Sequence, residues 1–304
     1  MPAPRCTLLP LPDHQVSFQA DGRERLRWHS GPQYPRPFFY PLAGPASGLS
    51  LTRMGHPGAP DHDHHRSVWF AHENVSGVNF WTDKTAARVR QTEWLAYQDG
   101  EAECVMAVRL AWSDGHDPKP LLTQELFAAV APGPDGETLV ELQTTFRPAT
   151  GGLEFGKTNF GFLAVRVAKA ISGTFGGGRL TSSTGTTGEA AIFGRQAAWV
   201  DYSGEQPGGA EGVTYFDHPA NPGHPTHWHV REDGWMGASA CFAGRRPVRP
   251  DDPLTLRYLL HAHRGPVDPR RAAELLAGFG RRPRFELVKA PARSVAWGVR
   301  RAAG

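Results

Sequence analysis

This chain is poor in the features that most readily identify a protein. Its 304 residues hold three cysteines, Cys6, Cys104 and Cys241, far apart and without a CxxC. That leaves out a disulfide framework and a thiolate zinc site. No segment has the roughly 18 consecutive apolar residues of a transmembrane helix. The stretch from Met1 to Gln15 is broken by prolines and has no signal-like apolar core. The expectation is a soluble, cytoplasmic protein with no membrane partner. Net charge is only +3, and the basic residues are scattered among acids. With no basic stripe and no known module, no nucleic-acid partner is expected. A G-x-S-x-G elbow is missing, which argues against a serine hydrolase. The glycines of Gly173–Gly178 lack the lysine of a phosphate-binding loop.

What the chain does have is glycine (35), proline (27) and short alternating segments. Cys104, Met106, Val108, Leu110 and Trp112 alternate with Val105, Ala107, Arg109 and Ala111. Val140–Phe146 and Leu254–Leu260 alternate in the same way. Such segments read as half-buried antiparallel strands. Turn signals such as Asp99-Gly100, Asp114-Gly115 and Asp233-Gly234 separate them. The fold class expected is all-β: one large antiparallel β-sandwich domain over residues 1–304. One helix is expected over 268–278, capped by Asp268, begun by Pro269 and ended by Gly278 or Gly280.

Histidine is where the chemistry concentrates. Eleven of the 14 histidines lie in His56–His72, His218–His229 and His261–His263, and each stretch contains a His-x-His pair. On a strand both rings of such a pair share a face. The first stretch leads from Asp61 through His62, His64, His65 and Arg66 to Trp69, His72 and, further on, Trp81. In the second, His227, His229 and Arg231 share one face and Trp228 and Val230 the other, with Asp217 beside His218 as an acid/base pair. His261 and His263 continue the Thr255/Arg257/Leu259 face, expected to be open or to border a cleft. Glu125, Lys157 and Arg166 interrupt apolar segments and are either outward-facing strand residues or site members.

Several motifs carry a resemblance. Arg36-Pro37-Phe38-Phe39-Tyr40-Pro41-Leu42, Asp61 to Trp81, Thr187-Gly188-Glu189-Ala190, Trp199 to Gly204, Phe216-Asp217-His218-Pro219-x-Asn221-Pro222 and His224 to Arg231 resemble a soluble bacterial family labelled "methane oxygenase PmoA". The resemblance spans about residues 36–264. It is unrelated to the membrane methane monooxygenase subunit, which is built from transmembrane helices. It implies a galactose-mutarotase-like (aldose-epimerase) sandwich and a functional association with sugar oxidoreductases in carbohydrate metabolism.

The reading that follows is a carbohydrate-active enzyme, an isomerase or lyase of epimerase, mutarotase or related type. It would act on a small sugar or keto-sugar by histidine acid/base catalysis, with a bell-shaped pH profile around neutrality. Catalysis is assigned to His64, His65, His227, His229, Asp217 and His218. Substrate binding is assigned to Arg66, Trp69, His72, Trp81, Glu125, Lys157, Trp228, Arg231 and His263, with Arg66 and Lys157 as candidates to hold an enolate. No cofactor is expected. Two alternatives stay open: a cupin-like enzyme holding a divalent metal through His-x-His ligands, and a non-catalytic sugar-binding module.

Overall fold

A computed structural model describes residues 4–55, 62–290 and 295–303. Two eight-stranded antiparallel sheets face each other. The first runs in the order β1 (Cys6–Leu11), β2 (Gln15–Ala20), β3 (Arg23–His29), β4 (Phe38–Leu42), β5 (Val68–His72), β11 (Gly161–Arg166), β16 (Trp235–Ser239) and β15 (His227–Arg231). The second runs β12 (Arg179–Ser182), β13 (Trp199–Gln206), β14 (Gly209–Asp217), β18 (Leu254–Arg264), β9 (Thr138–Pro148), β8 (Leu122–Pro132), β7 (Cys104–Ser113) and β6 (Arg88–Gln98). Two small ladders join β10 (Leu153–Phe155) to β17 (Arg246–Val248) and β19 (Phe285–Lys289) to β20 (Trp297–Arg301).

The period-two alternation fixes which residues fill the space between the sheets. Met106, Val108, Leu110 and Trp112 of β7, Val140, Leu142 and Phe146 of β9, and Leu256, Tyr258 and Leu260 of β18 enter one core with Val68 and Phe70 of β5 and Val165 of β11. The strands are therefore where the alternation put them, but half-burial is not the whole account. At the start of β7 both faces are covered, because Val105 and Ala107 pack under Phe285 and Val299 of the β19–β20 ladder.

Helices are few: α1 (Gly173–Gly176), α2 (Glu189–Ile192) and α3 (Pro269–Arg281). The third is the one expected from its cap. The Asp268 side chain accepts from the backbone N–H of Arg270 at 2.9 Å. It runs past both glycines to Arg281, and Phe279 and Ala272 bury against Trp199, Phe216 and Leu259. That packing corrects the expected polarity of β18. The Arg257/Leu259 face is not open, because α3 lies over it.

Candidate functional site

The outward face of the first sheet carries the concentration of imidazole and indole. The register explains how. Across β5, β11, β16 and β15, Trp69, Ala164, Gly237 and His229 stand opposite one another in a single rung. In the next rung Arg166, Trp235 and Arg231 are aligned. Directly opposed residues share a face. The two inner positions of the first rung are small, so the large rings of Trp69 and Trp235 come together above them, centroids 5.3 Å apart. A Cβ on Gly237 would meet the Trp235 ring at 3.1 Å. Trp81 completes the group, 5.7 Å from Trp69 and 5.2 Å from Trp235. Its loop is pinned by Arg36, which donates to the carbonyls of Phe80 (3.1 Å) and Thr82 (3.0 Å). Asn79 Oδ1 also accepts from the Trp81 N–H at 2.8 Å.

Over this floor folds the His62–His65 turn. His65 packs on Trp69 at 5.4 Å and Trp235 at 4.9 Å, with His64 4.3 Å and His62 4.9 Å away. His229 closes the other side, 5.6 Å from Trp235 and 4.8 Å from Phe160. The result is a cavity of about 310 Å³ lined by His62, His64, His65 and His229, Trp81 and Trp235, Arg166 and Arg231, and Glu73 and Asp233, together with Asn79, Thr82 and Phe160. Wider clefts of about 810 and 500 Å³ lie elsewhere, but their described linings include at most one histidine each.

The electrostatics of the cavity follow from burial among rings. Desolvation is the first cause that drives the His65 imidazole far below its ordinary range, with the charges of His64 and Arg166 adding to it. His229 is held at about 4, again chiefly by burial and then by Arg231. Both rings are uncharged at neutral pH. Nδ1 of His229 lies 3.1 Å from the Asn159 carbonyl, which only accepts, and 3.4 Å from that residue's side-chain amide; with the nearer carbonyl as its partner, Nδ1 carries the proton and Nε2 the lone pair. Arg166, 1% exposed, gives two parallel bonds to Asp233 at 2.9 and 3.0 Å. Glu73 accepts the Thr158 hydroxyl. Buried polar groups almost always have partners. Here Nδ1 of His65, Nε of Arg166 and Nε1 of Trp69, Trp81 and Trp235 have none within the protein. Five such atoms lie in this one neighbourhood.

Of the residues expected at the site, His64, His65, Trp69, Trp81, His229 and Arg231 come together here. Others do not. His227 shares the outward face but is turned onto the Phe242 ring, parallel at 5.2 Å. Trp228 points inward as the alternation requires, its Nε1–H bonded to the Ala197 carbonyl at 2.7 Å, and belongs to the core. His72 is likewise buried, bonded to the Gly156 carbonyl at 3.1 Å and stacked on Phe162. Arg66 lies just outside the lining, bonded to Asp83 at 2.5 Å. Lys157 is exposed. Glu125 stands opposite Arg109 on the second sheet.

Asp217 and His218 are no acid/base pair. Asp217 accepts from Asn221 (2.7 Å), His224 (2.8 Å) and the Thr226 N–H (3.0 Å), while His218 bonds the Phe279 carbonyl of α3 at 3.1 Å. They tie a proline-rich loop and a helix to the sandwich. His263, on the second sheet, is bound at 2.8 Å to the buried Asp201.

Glu73, Asn79, Phe160, Asp233 and Trp235 are site residues that the sequence reading did not select. For Trp235 a signal existed: the Asp233-Gly234 turn makes a tight hairpin that sets Trp235 opposite Arg231. Arg166 was noted as an interruption in an apolar strand, and its outward parity fits the lining.

Among the described residues, no three His, Cys, Asp or Glu side chains form a group able to hold a metal ion. The two rings of His227/His229 part toward different aromatics, and those of His261/His263 each bind their own carboxylate. His56 and Asp61 lie outside the described residues. Among the described residues, no helix is long and apolar enough to cross a membrane.

Fold and site together define a two-sheet antiparallel β-sandwich with a histidine- and tryptophan-lined pocket on one outer face. The chain belongs to a family of unknown function, DUF6807, whose family model matches residues 15–277. No curated protein matches it.

Proposed function

We propose that this chain is an enzyme acting on a small sugar or keto-sugar by acid/base catalysis in the pocket of His65 and His229. One observation carries the reading: neutral imidazoles, indole faces and unpartnered buried polar atoms converge on a cavity of about 310 Å³, at the small end of ligand-pocket sizes. Indole faces accept the apolar side of a sugar ring, and neutral imidazoles both donate to and accept from hydroxyls. In the mechanism His229, with its lone pair on Nε2, is the base. The imidazolium so formed returns the proton, and Glu73 is a carboxyl group on the cavity wall able to accept from a substrate hydroxyl. Arg166 and Arg231, rather than Lys157 and Arg66, are placed to stabilise an oxyanion formed next to a carbonyl.

The pKa values revise the expected pH profile. The base is neutral down to about pH 4, so the acid limb of kcat/KM belongs there and not near neutrality. The test is an NMR-monitored screen of aldoses and keto-sugars. Turnover should appear with at least one, and His229→Ala should lower it about 10²-fold or more while leaving the circular dichroism spectrum unchanged. Binding without turnover across the screen would favour a non-catalytic sugar-binding module. Full activity in the variant would remove His229 from the chemistry.

A further inference from the structure

Resting on the sugar reading above, we infer that the ligand of this pocket is a sugar acid, whose carboxylate is received by the indole N–H groups of Trp81 and Trp235 together with Nε of Arg166. The argument is one of hydrogen-bond sign. An indole N–H and a guanidinium N–H only donate. All three are on the cavity lining and buried without a partner in the protein, and the two indole rings lie 5.2 Å apart, centroid to centroid.

Two of the nearby acceptors are already engaged. Asn79 Oδ1 takes the N–H groups of Trp81 and Thr82, and both oxygens of Asp233 take Arg166. A hydroxyl would bring a proton of its own needing an acceptor. A carboxylate brings acceptors alone and is bound more strongly by N–H donors than a neutral oxygen is.

Charge points the same way through different residues. Arg36 and Arg66 share one carboxylate, Asp83, at 3.0 and 2.5 Å. Arg53 donates to the carbonyl of Asp233 at 2.8 Å, while the carboxylate of that residue is taken by Arg166. Burial, reinforced by a neighbouring guanidinium and opposed by a carboxylate in both cases, brings Arg36 and Arg53 down to about 10. On each flank, then, guanidinium charge exceeds the carboxylate beside it. On the cavity wall itself the acids are Glu73 and Asp233, the latter already bound by Arg166. The modest excess suits a monoanion better than a doubly charged phosphate ester.

Calorimetric titration of the full chain with D-glucuronate, D-galacturonate, their parent hexoses and glucose 6-phosphate tests this. At least one uronate should bind about 10-fold or more tighter than its parent hexose, the scale set by a charge-assisted hydrogen bond. Trp81→Phe and Trp235→Phe, which keep a ring but lose the N–H, should each erase most of that preference. Equal affinity for uronate and hexose overturns the carboxylate inference and leaves the sugar reading standing. Tighter binding of the phosphate ester overturns it in favour of a dianion. Binding of none of the five overturns both.

Discussion

The two outer faces of this sandwich both carry histidines, and they treat them in opposite ways. On the second sheet each ring has a carboxylate. His261 bonds Glu137 at 2.9 Å and His263 bonds Asp201 at 2.8 Å, beneath α3. Asp201 is held further by Ser203 and Thr214, and Glu137 by Arg271. On the first sheet His65 is stacked among indoles with an unpartnered Nδ1, and His229 has a backbone carbonyl in place of an acid. A satisfied buried network holds the structure together. An unsatisfied one costs stability and persists where a ligand completes it. Enrichment in one residue type therefore located two different things, and only the bonding partners tell them apart.

The largest expected effect breaks the satisfied side. Asp201→Ala leaves His263 buried without its counter-charge and should cost about 3–5 kcal/mol in urea unfolding. On the other face, His65→Phe keeps a ring and removes a buried unpartnered nitrogen, so it should be neutral or stabilising in the same measurement while abolishing ligand binding. Equal destabilisation by the two would erase the distinction between the faces.

Acid titration sharpens the comparison next. His263 is raised above its ordinary value: burial opposes the charge, but Asp201 outweighs it. Its stabilising contribution is present below the unfolded value of about 6.5 and is lost as pH rises through the folded value. His229 is lowered to about 4. Between about pH 6.5 and 4 the unfolded chain therefore takes up a proton that the folded chain refuses, and this term destabilises the fold on acidification. Histidine-ring NMR should find His229 titrating near 4 and His263 above about 6.5. Both near the ordinary value would contradict the burial account.

The smallest effect concerns His227, on the first sheet but outside the cavity and lying on Phe242. His227→Ala should change stability by no more than about 0.5 kcal/mol and leave ligand affinity unchanged. A lost affinity would extend the site along β15.

Much of this was legible in the sequence. Alternation placed β7, β9 and β18, and the Asp268-Pro269 signal placed α3, because cap and strand parity are local properties. Parity also put His229 and Arg231 on the face opposite Trp228. It did not say which outer face would stay open. That depends on α3 and the β19–β20 ladder returning over the second sheet, a tertiary event that closed the His261/His263 face. Nor could adjacency in sequence show that Asp217 would turn to Asn221 and His224 and away from His218. The Trp235–Trp69–Trp81 group was visible only in part, since it needs the cross-strand register of three separate segments.

The most direct test uses the indole N–H groups themselves. Trp28, Trp112 and Trp228 bond Gln91, Gln124 and the Ala197 carbonyl through Nε1, whereas those of Trp69, Trp81 and Trp235 have no protein partner. In ¹H–¹⁵N spectra of the full chain titrated with D-glucuronate, the account predicts that the signals of Trp81 and Trp235 shift together, saturably, while those of the three bonded tryptophans stay in place. Shifts confined to the bonded tryptophans, or no shift at all, would contradict it.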